Sequence, residues 1–293
     1  MNIYSCVDSK NIDKLIVLFY SCFLNSTNKQ SLRFYIITDD DSYNINIPLE
    51  LKELIIIKSI KFDDKWHQIL NEFNQHFYKD SIWCKNDMNF ARFFFFKIFP
   101  NIKRAIYLDW DMIVQGNIFE LENEYYTYEK MVTSNISGKS IYHNIFNIQF
   151  KGNMFSRNPI KINKVISMLK TDAKTLTTIP HFCAGFYIIS DFHFEENYML
   201  EFIQNLIDIQ KKFKCFNFGT QSVMNLMHLN NRIFVDRLWN LTPDKDDINK
   251  IKIIHWNGHS KPWNDKDKDL NKIWWKYLDQ TKLQIENQLL QFS

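Results

Sequence analysis

Glycine and proline are scarce, six of each in 293 residues, so the chain has few ready turn points and every glycine position carries information. The five cysteines (Cys6, Cys22, Cys84, Cys183 and Cys215) are odd in number and contain no Cys-x-x-Cys pair, which argues against a disulfide framework or a zinc ribbon. Buried thiols in a reducing compartment fit better, so the expected location is cytoplasmic. There is no basic block of five or more residues, and the net charge is only +3. A nucleic-acid partner, which needs lysines and arginines gathered on one face, is therefore not expected. No apolar run is long enough to span a bilayer. The run Leu15–Leu24 has the length of a signal-peptide core, but Asp8 and Asp13 precede it and no small-residue cleavage site follows, so it reads as a buried helix.

What the chain does have is apolar and aromatic bulk. Hydrophobic residues make up 45% and aromatics 16%, enough to fill the core of one large α/β domain or two small ones. The stretch that organises it is Lys103–Val114, Lys-Arg-Ala-Ile-Tyr-Leu-Asp-Trp-Asp-Met-Ile-Val. Ala105–Leu108 reads as a buried strand. Side chains alternate along extended backbone, so Asp109 and Asp111 fall on one face and Trp110 on the other. Two carboxylates at the carboxyl end of a buried strand sit where open α/β sheets place ligands. They repel one another unless a cation lies between them, and Mg²⁺ or Mn²⁺ suits oxygen donors. A solvated acidic turn is the alternative.

Strands are expected at Asn2–Val7, Leu32–Thr38 and Leu54–Ile57, with a helix over Leu15–Asn25 capped by Asn11 or Asp13. This β-α-β-β order favours a parallel sheet. Asp8, at the end of the first strand, could accept from a base N–H or cap the helix. Trp66–Tyr78 and Asn86–Phe99 read as helices, the second apolar nearly all round and ending before Pro100. Its one cation before Lys97 is Arg92, which would pair with the two acids or a bound phosphate, or lie at the surface. Beyond a turn at Gly116-Asn117, Met131–Ser134 reads as a strand and 135–159 as a long irregular binding loop. Then follow a helix over Ile160–Leu169, an apolar strand Phe182–Ser190 with Gly185 inside it, and helices over Met199–Phe213 and Gly219–Leu229. Thr220 could cap the last. Strands at Arg232–Val235 and Ile251–Ile254 come next. The final strand runs into His255-Trp256-Asn257-Gly258-His259-Ser260-Lys261-Pro262-Trp263, which could complete a metal site and clamp a diphosphate. The tail from Asn264 is amphipathic; it packs on the domain or, as the alternative, lies on a membrane surface.

Taken in order, Arg-Ala-Ile-Tyr-Leu-Asp-Trp-Asp-Met-Ile-Val, Ala-Gly in the strand, Gln-Ser-Val-Met-Asn in the helix and His-Trp-Asn-Gly-His-Ser-Lys-Pro-Trp resemble the family 8 glycosyltransferases. That retaining group includes glycogenin-like enzymes and bacterial lipopolysaccharide galactosyl- and glucosyltransferases. The resemblance spans roughly residues 1–265. It implies a GT-A fold, an α/β domain with a mostly parallel nucleotide-binding sheet flanked by helices, followed by a helical tail over 266–293. It also implies a nucleotide-sugar donor, commonly a UDP-sugar carrying glucose or galactose, with Mn²⁺ or Mg²⁺. The acceptor would be a glycan, a lipid-linked molecule or a protein; a lipid-linked one would place the enzyme at the inner face of a membrane.

Matched motif by motif, Asp109, Asp111 and His255 look like the metal ligands, and Asp8 like the uracil contact on the strand that also holds Cys6. Lys261 and Gly258 look like diphosphate contacts, Arg92 and Asp109 reach the donor, and Ala184, Gly185 and Gln221 look like the sugar pocket. Three positions depart from the family pattern: Cys183 where Asn is frequent, Thr220 where Asp is usual, and a loose match near Asn135. All would touch sugar hydroxyls, so a different donor such as UDP-GlcNAc, or a sugar-nucleotide-binding protein with little turnover, stays open. No spare acid lies in the sugar motifs, so retention by front-face attack with Gln221 as stabiliser is expected over a double displacement, which needs a carboxylate pair.

Overall fold

The computed structural model describes residues 1–42, 44–76, 87–125, 129–134, 140–141, 159–213, 219–241 and 248–291. The chain opens with β1 (Asn2–Cys6), α1 (Ile12–Asn25), β2 (Arg33–Thr38), the short α2 (Leu49–Lys52) and β3 (Ile55–Ser59). Asn11 stands at the start of α1 but makes no capping bond; its Oδ1 instead accepts from Lys14 Nζ at 2.9 Å. The helix α3 (Asp64–His76) follows, and the rest of the helix expected to Tyr78 lies outside the described residues.

The phenylalanine-rich helix is not continuous. Its described part is α4 (Met88–Ala91), a 3₁₀ turn over Arg92–Phe94, and α5 (Phe95–Ile98). Crowded rings explain the break: Phe90, Phe93, Phe94, Phe95 and Phe96 are all buried, which a regular helix cannot achieve against one flat sheet face. The break also turns Arg92 inward.

Then come β4 (Arg104–Leu108), β5 (Met112–Val114), α6 (Phe119–Glu124), β6 (Met131–Ser134), α7 (Pro159–Met168), α8 (Ala173–Thr178) and β7 (Phe186–Ser190). The chain closes with α9 (Glu196–Phe213), α10 (Gly219–Met227), β8 (Arg232–Val235), β9 (Ile253–His255) and α11 (Asp269–Gln291). The binding loop expected over 135–159 lies almost wholly outside the described residues.

Among the described residues seven strands form one sheet in the order β3-β2-β1-β4-β7-β6-β8. Pairing is parallel from β3 to β4 and between β6 and β8, while β7 runs antiparallel to both neighbours. Alternation along the strands splits the core. Tyr4, Tyr107 and Tyr187 face the phenylalanine cluster with α9 and α10, whereas Ile3, Ile106 and Ile188 face α1.

The strand expected over Ile251–Ile254 is β9, and it pairs with β5, a strand the sequence did not reveal, in a two-stranded ribbon separate from the main sheet. The tail helix α11 packs on α1 and this ribbon. Trp274 is buried beside Val17, Ile113 and Ile254, and Asn25 Nδ2 donates to Tyr277 Oη at 2.8 Å. Among the described residues no helix is long and apolar enough to cross a membrane.

Candidate active site

The ribbon is what assembles the site. Its register sets His255 opposite Met112, one residue past Asp111, and the Trp256 N–H donates to the Asp111 carbonyl at 3.1 Å. Residues far apart in sequence are thereby locked by backbone hydrogen bonds. His255 Nε2 lies 3.4 Å from Asp111 Oδ1 and 4.0 Å from Asp109 Oδ2. One ligand atom from each of Asp109, Asp111 and His255 falls within 4.8 Å of the others.

Three further features fit this group to a divalent cation. The Asn240 amide oxygen sits 2.9 Å from His255 Nδ1; accepting a hydrogen bond from that atom leaves Nε2 as the one that faces the carboxylates, where a cation would take the place of its proton. Gly185 abuts the group: a Cβ there would meet His255 Cε1 at 2.5 Å and Asp109 Oδ2 at 2.7 Å. The donors, two carboxylates and an imidazole, are those Mn²⁺ and Mg²⁺ accept.

Cations inside the protein balance the acids. Arg92, only 4% exposed, donates from Nη1 to the Ala184 carbonyl at 2.7 Å and from Nη2 to Asp109 Oδ1 at 3.3 Å. Its guanidinium also lies 4.3 Å from the centre of the Tyr107 ring, and the Tyr107 hydroxyl donates to Asp109 Oδ1 at 2.6 Å. Lys261 bonds Asp111 Oδ2 and donates to the Trp256 carbonyl at 3.0 Å. Burial alone would raise the Asp111 pKa, but the neighbouring His255 and Lys261 hold it well below the usual carboxylate range. For His255 burial works downward and Asp111 outweighs it, so its pKa is raised.

Arg92, Asp109, Asp111, Gly185, His255 and Lys261 line a cleft of about 240 Å³, whose walls also include Asn89, Cys183, Ala184, Gly219, Thr220, Gln221, Asn257 and Gly258. Gly258 has φ of +106°, a turn conformation that favours glycine. Cys183 faces His255 Nδ1 at 3.8 Å and accepts from Asn257 Nδ2 at 3.5 Å. Thr220 lies inside the first turn of α10, on the cleft wall.

Asp8 and Cys6 are not among the cleft-lining residues. Asp8 lies two residues beyond the end of β1 and makes no side-chain capping bond to the 3₁₀ turn Ser9–Asn11 that follows it, and Cys6 is buried, its thiol pKa pushed up chiefly by burial. The match near Asn135 lies outside the described residues.

Four residues here were not marked in the sequence: Asn240, Tyr107, Asn257 and His181, which touches Gln221. Tyr107 had a signal, since it is two residues before Asp109 on the same strand face. Asn240 had none, because its place depends on the ribbon.

A mostly parallel nucleotide-binding-type sheet with an Asp-x-Asp and histidine metal group beyond its strand ends defines a GT-A glycosyltransferase domain. The chain belongs to glycosyl transferase family 8, whose model matches residues 2–267. Among solved structures, the galactosyltransferase LgtC, crystallised with donor and acceptor sugar analogs, is 13% identical with 96% of each chain covered and a TM-score of 0.66. The glycosyltransferase GlyE of Streptococcus pneumoniae is 18% identical, covering 94% of this chain and 60% of its own, with a TM-score of 0.54. Mouse xyloside xylosyltransferase 1 is 16% identical, covering 87% of this chain and 97% of its own, with a TM-score of 0.54. At these identities the likeness shows the fold. No curated protein sequence matches the chain.

Proposed function

We propose that the protein is a retaining, divalent-metal-dependent hexosyltransferase that takes glucose or galactose from a UDP-sugar to a glycan, lipid-linked or protein acceptor. The observation that carries this reading is the convergence of Asp109, Asp111 and His255 against Gly185, in a cleft that Lys261 and Gln221 also line. Mn²⁺, or Mg²⁺ in its place, would be held by those three side chains; when bound, it supplies Lewis-acid neutralisation of the donor diphosphate.

The protein's own groups do the rest. Lys261 and the turn at Gly258 face the diphosphate, and the ammonium offsets charge on the departing β-phosphate. Asp8 takes the base, beside Cys6 on β1. Arg92 holds both Asp109 and the Ala184 carbonyl, fixing the wall formed by Ala184 and Gly185 where the sugar lies. Among the described cleft-lining residues the only carboxylates are Asp109 and Asp111. Both are committed to the metal group, so no free acid stands ready as a nucleophile, and this supports front-face attack with the Gln221 amide stabilising the sugar.

Cys183 and Thr220 on the same wall favour a second reading, a donor such as UDP-GlcNAc. If the acceptor is lipid-linked, Leu283, Leu289 and Leu290, exposed on the distal half of α11, are the apolar side chains for peripheral membrane contact.

The test is UDP release from a panel of UDP-sugars with Mn²⁺, with and without EDTA. The expected result is release from UDP-glucose or UDP-galactose that EDTA abolishes. Release from UDP-GlcNAc alone would favour the second reading, and thermal shifts without release would make the protein a binding module.

A further inference from the structure

We propose that His181 is a positioning residue that fixes the orientation of the Gln221 carboxamide at the cleft wall; this rests on the reading of Gln221 as the group facing the sugar. His181 is 7% exposed and is not among the cleft-lining residues, so it acts only through its neighbour.

The orientation follows from a backbone group whose role cannot be exchanged. The Ala184 N–H is a donor, and it lies 3.2 Å from Gln221 Oε1, so that atom is the carbonyl oxygen. The other end of the amide, Nε2, is then the NH₂ group, and it sits 3.2 Å from His181 Nε2. An amide nitrogen does not accept, so His181 Nε2 must carry the lone pair and Nδ1 the proton. Burial, aided by Arg232, drives the imidazole pKa down to about 3 and keeps the ring neutral, as this contact requires. Turning the amide over would set NH₂ against the Ala184 N–H, a repulsion that no tautomer of His181 relieves, so the carboxamide has one stable orientation, which the Nε2 lone pair of His181 holds from the other end.

The frame around the pair is rigid. Asn225, one turn beyond Gln221 on α10, takes the Phe182 N–H at 3.1 Å and donates to the Phe182 carbonyl at 2.8 Å. Arg232 Nη1 donates to Asn225 Oδ1 at 3.1 Å, and its guanidinium lies 5.1 Å from the Phe182 ring centre. His181 is thereby held next to Phe182 while Gln221 is held by Ala184. What Gln221 retains for the cleft is one N–H and one carbonyl lone pair in fixed directions, the preorganisation a developing charge on a sugar needs.

The experiment compares His181→Phe, which keeps a ring and removes the acceptor, with His181→Gln, whose amide oxygen reaches where Nε2 stood. With UDP release as the readout, His181→Phe should lower kcat by about 10- to 100-fold while the donor KM stays within about twofold, as loss of alignment predicts. His181→Gln should restore kcat to within about threefold of wild type. Imidazole ¹⁵N spectra of the unmodified protein at pH 7 give an independent readout: His181 should be the Nδ1–H tautomer, and its Nε2 signal should shift in Gln221→Leu. Unchanged kcat in His181→Phe, equal losses in folded Phe and Gln variants, or a proton on Nε2 would each overturn the proposal. If the wild type releases no UDP from any donor, the transferase reading fails instead, and the tautomer measurement still decides the contact. The same spectra decide it should His181→Phe not fold.

Discussion

The backbone of Gly185 lies directly against the imidazole of His255, so close that a single methyl group on the glycine would come within 2.5 Å of His255 Cε1. No contact in that range is tolerated without displacement, and the same methyl would meet Asp109 Oδ2 at 2.7 Å. Gly185→Ala should therefore push two of the three metal-ligating side chains apart while leaving the strand it precedes intact. The Mn²⁺ concentration giving half-maximal rate should rise by at least about tenfold. An unchanged Mn²⁺ dependence in the folded variant would remove Gly185 from the metal group.

Asn240 is fully buried and holds His255 Nδ1 at 2.9 Å. Outer partners of this kind are worth about 10- to 100-fold in metal affinity, so Asn240→Leu should weaken Mn²⁺ binding by that factor in calorimetry. Affinity equal to wild type would show that the tautomer of His255 is set by some other contact.

Acid should destabilise the fold through its buried histidines. Burial, first among the causes, lowers the pKa of both His181 and His228 to about 3, against 6.5 for the free side chain, and lowers that of His193 as well. Between pH 6.5 and 3 the unfolded chain binds protons that the folded chain refuses, so stability falls as pH falls through that window. The apparent Tm should drop from pH 6.5 to 5, above the range where most carboxylates titrate, and His228→Gln should make that slope shallower. An identical slope in the variant would contradict the assignment.

The tail helix should be part of the domain's stability. Trp274 is 2% exposed and packs edge-on against Trp263, whose ring stacks on Trp110 at 4.7 Å. Trp274→Ala should cost about 3–5 kcal/mol in denaturant unfolding, the usual range for deleting a buried aromatic. A loss below about 1 kcal/mol would make α11 peripheral.

Much of this was legible in the chain, for identifiable reasons. Ala105–Leu108 was readable because an apolar run ending in Asp109 and Asp111 has one natural geometry, strand then turn. Arg92 was readable as a partner of the acids because a cation amid phenylalanines must find an anion. The ribbon was not readable: the strand over Ile251–Ile254 was, but its partner β5 has only three residues, and so short an apolar run gives no period to detect. With the ribbon went Asn240, since its contact with His255 exists only once the chain returns past β5. The phenylalanine helix was misread as continuous because its composition shows burial on all sides and carries no mark of the 3₁₀ turn at Arg92.

The central claim is a site where metal and nucleotide bind together, and calorimetric titration of UDP tests it without knowledge of sugar or acceptor. With Mn²⁺ present the account predicts UDP binding at least about tenfold tighter than in EDTA, with the difference lost in Asp111→Asn while its thermal unfolding remains cooperative. Equal affinity in Mn²⁺ and EDTA, or an undiminished difference in Asp111→Asn, would contradict it.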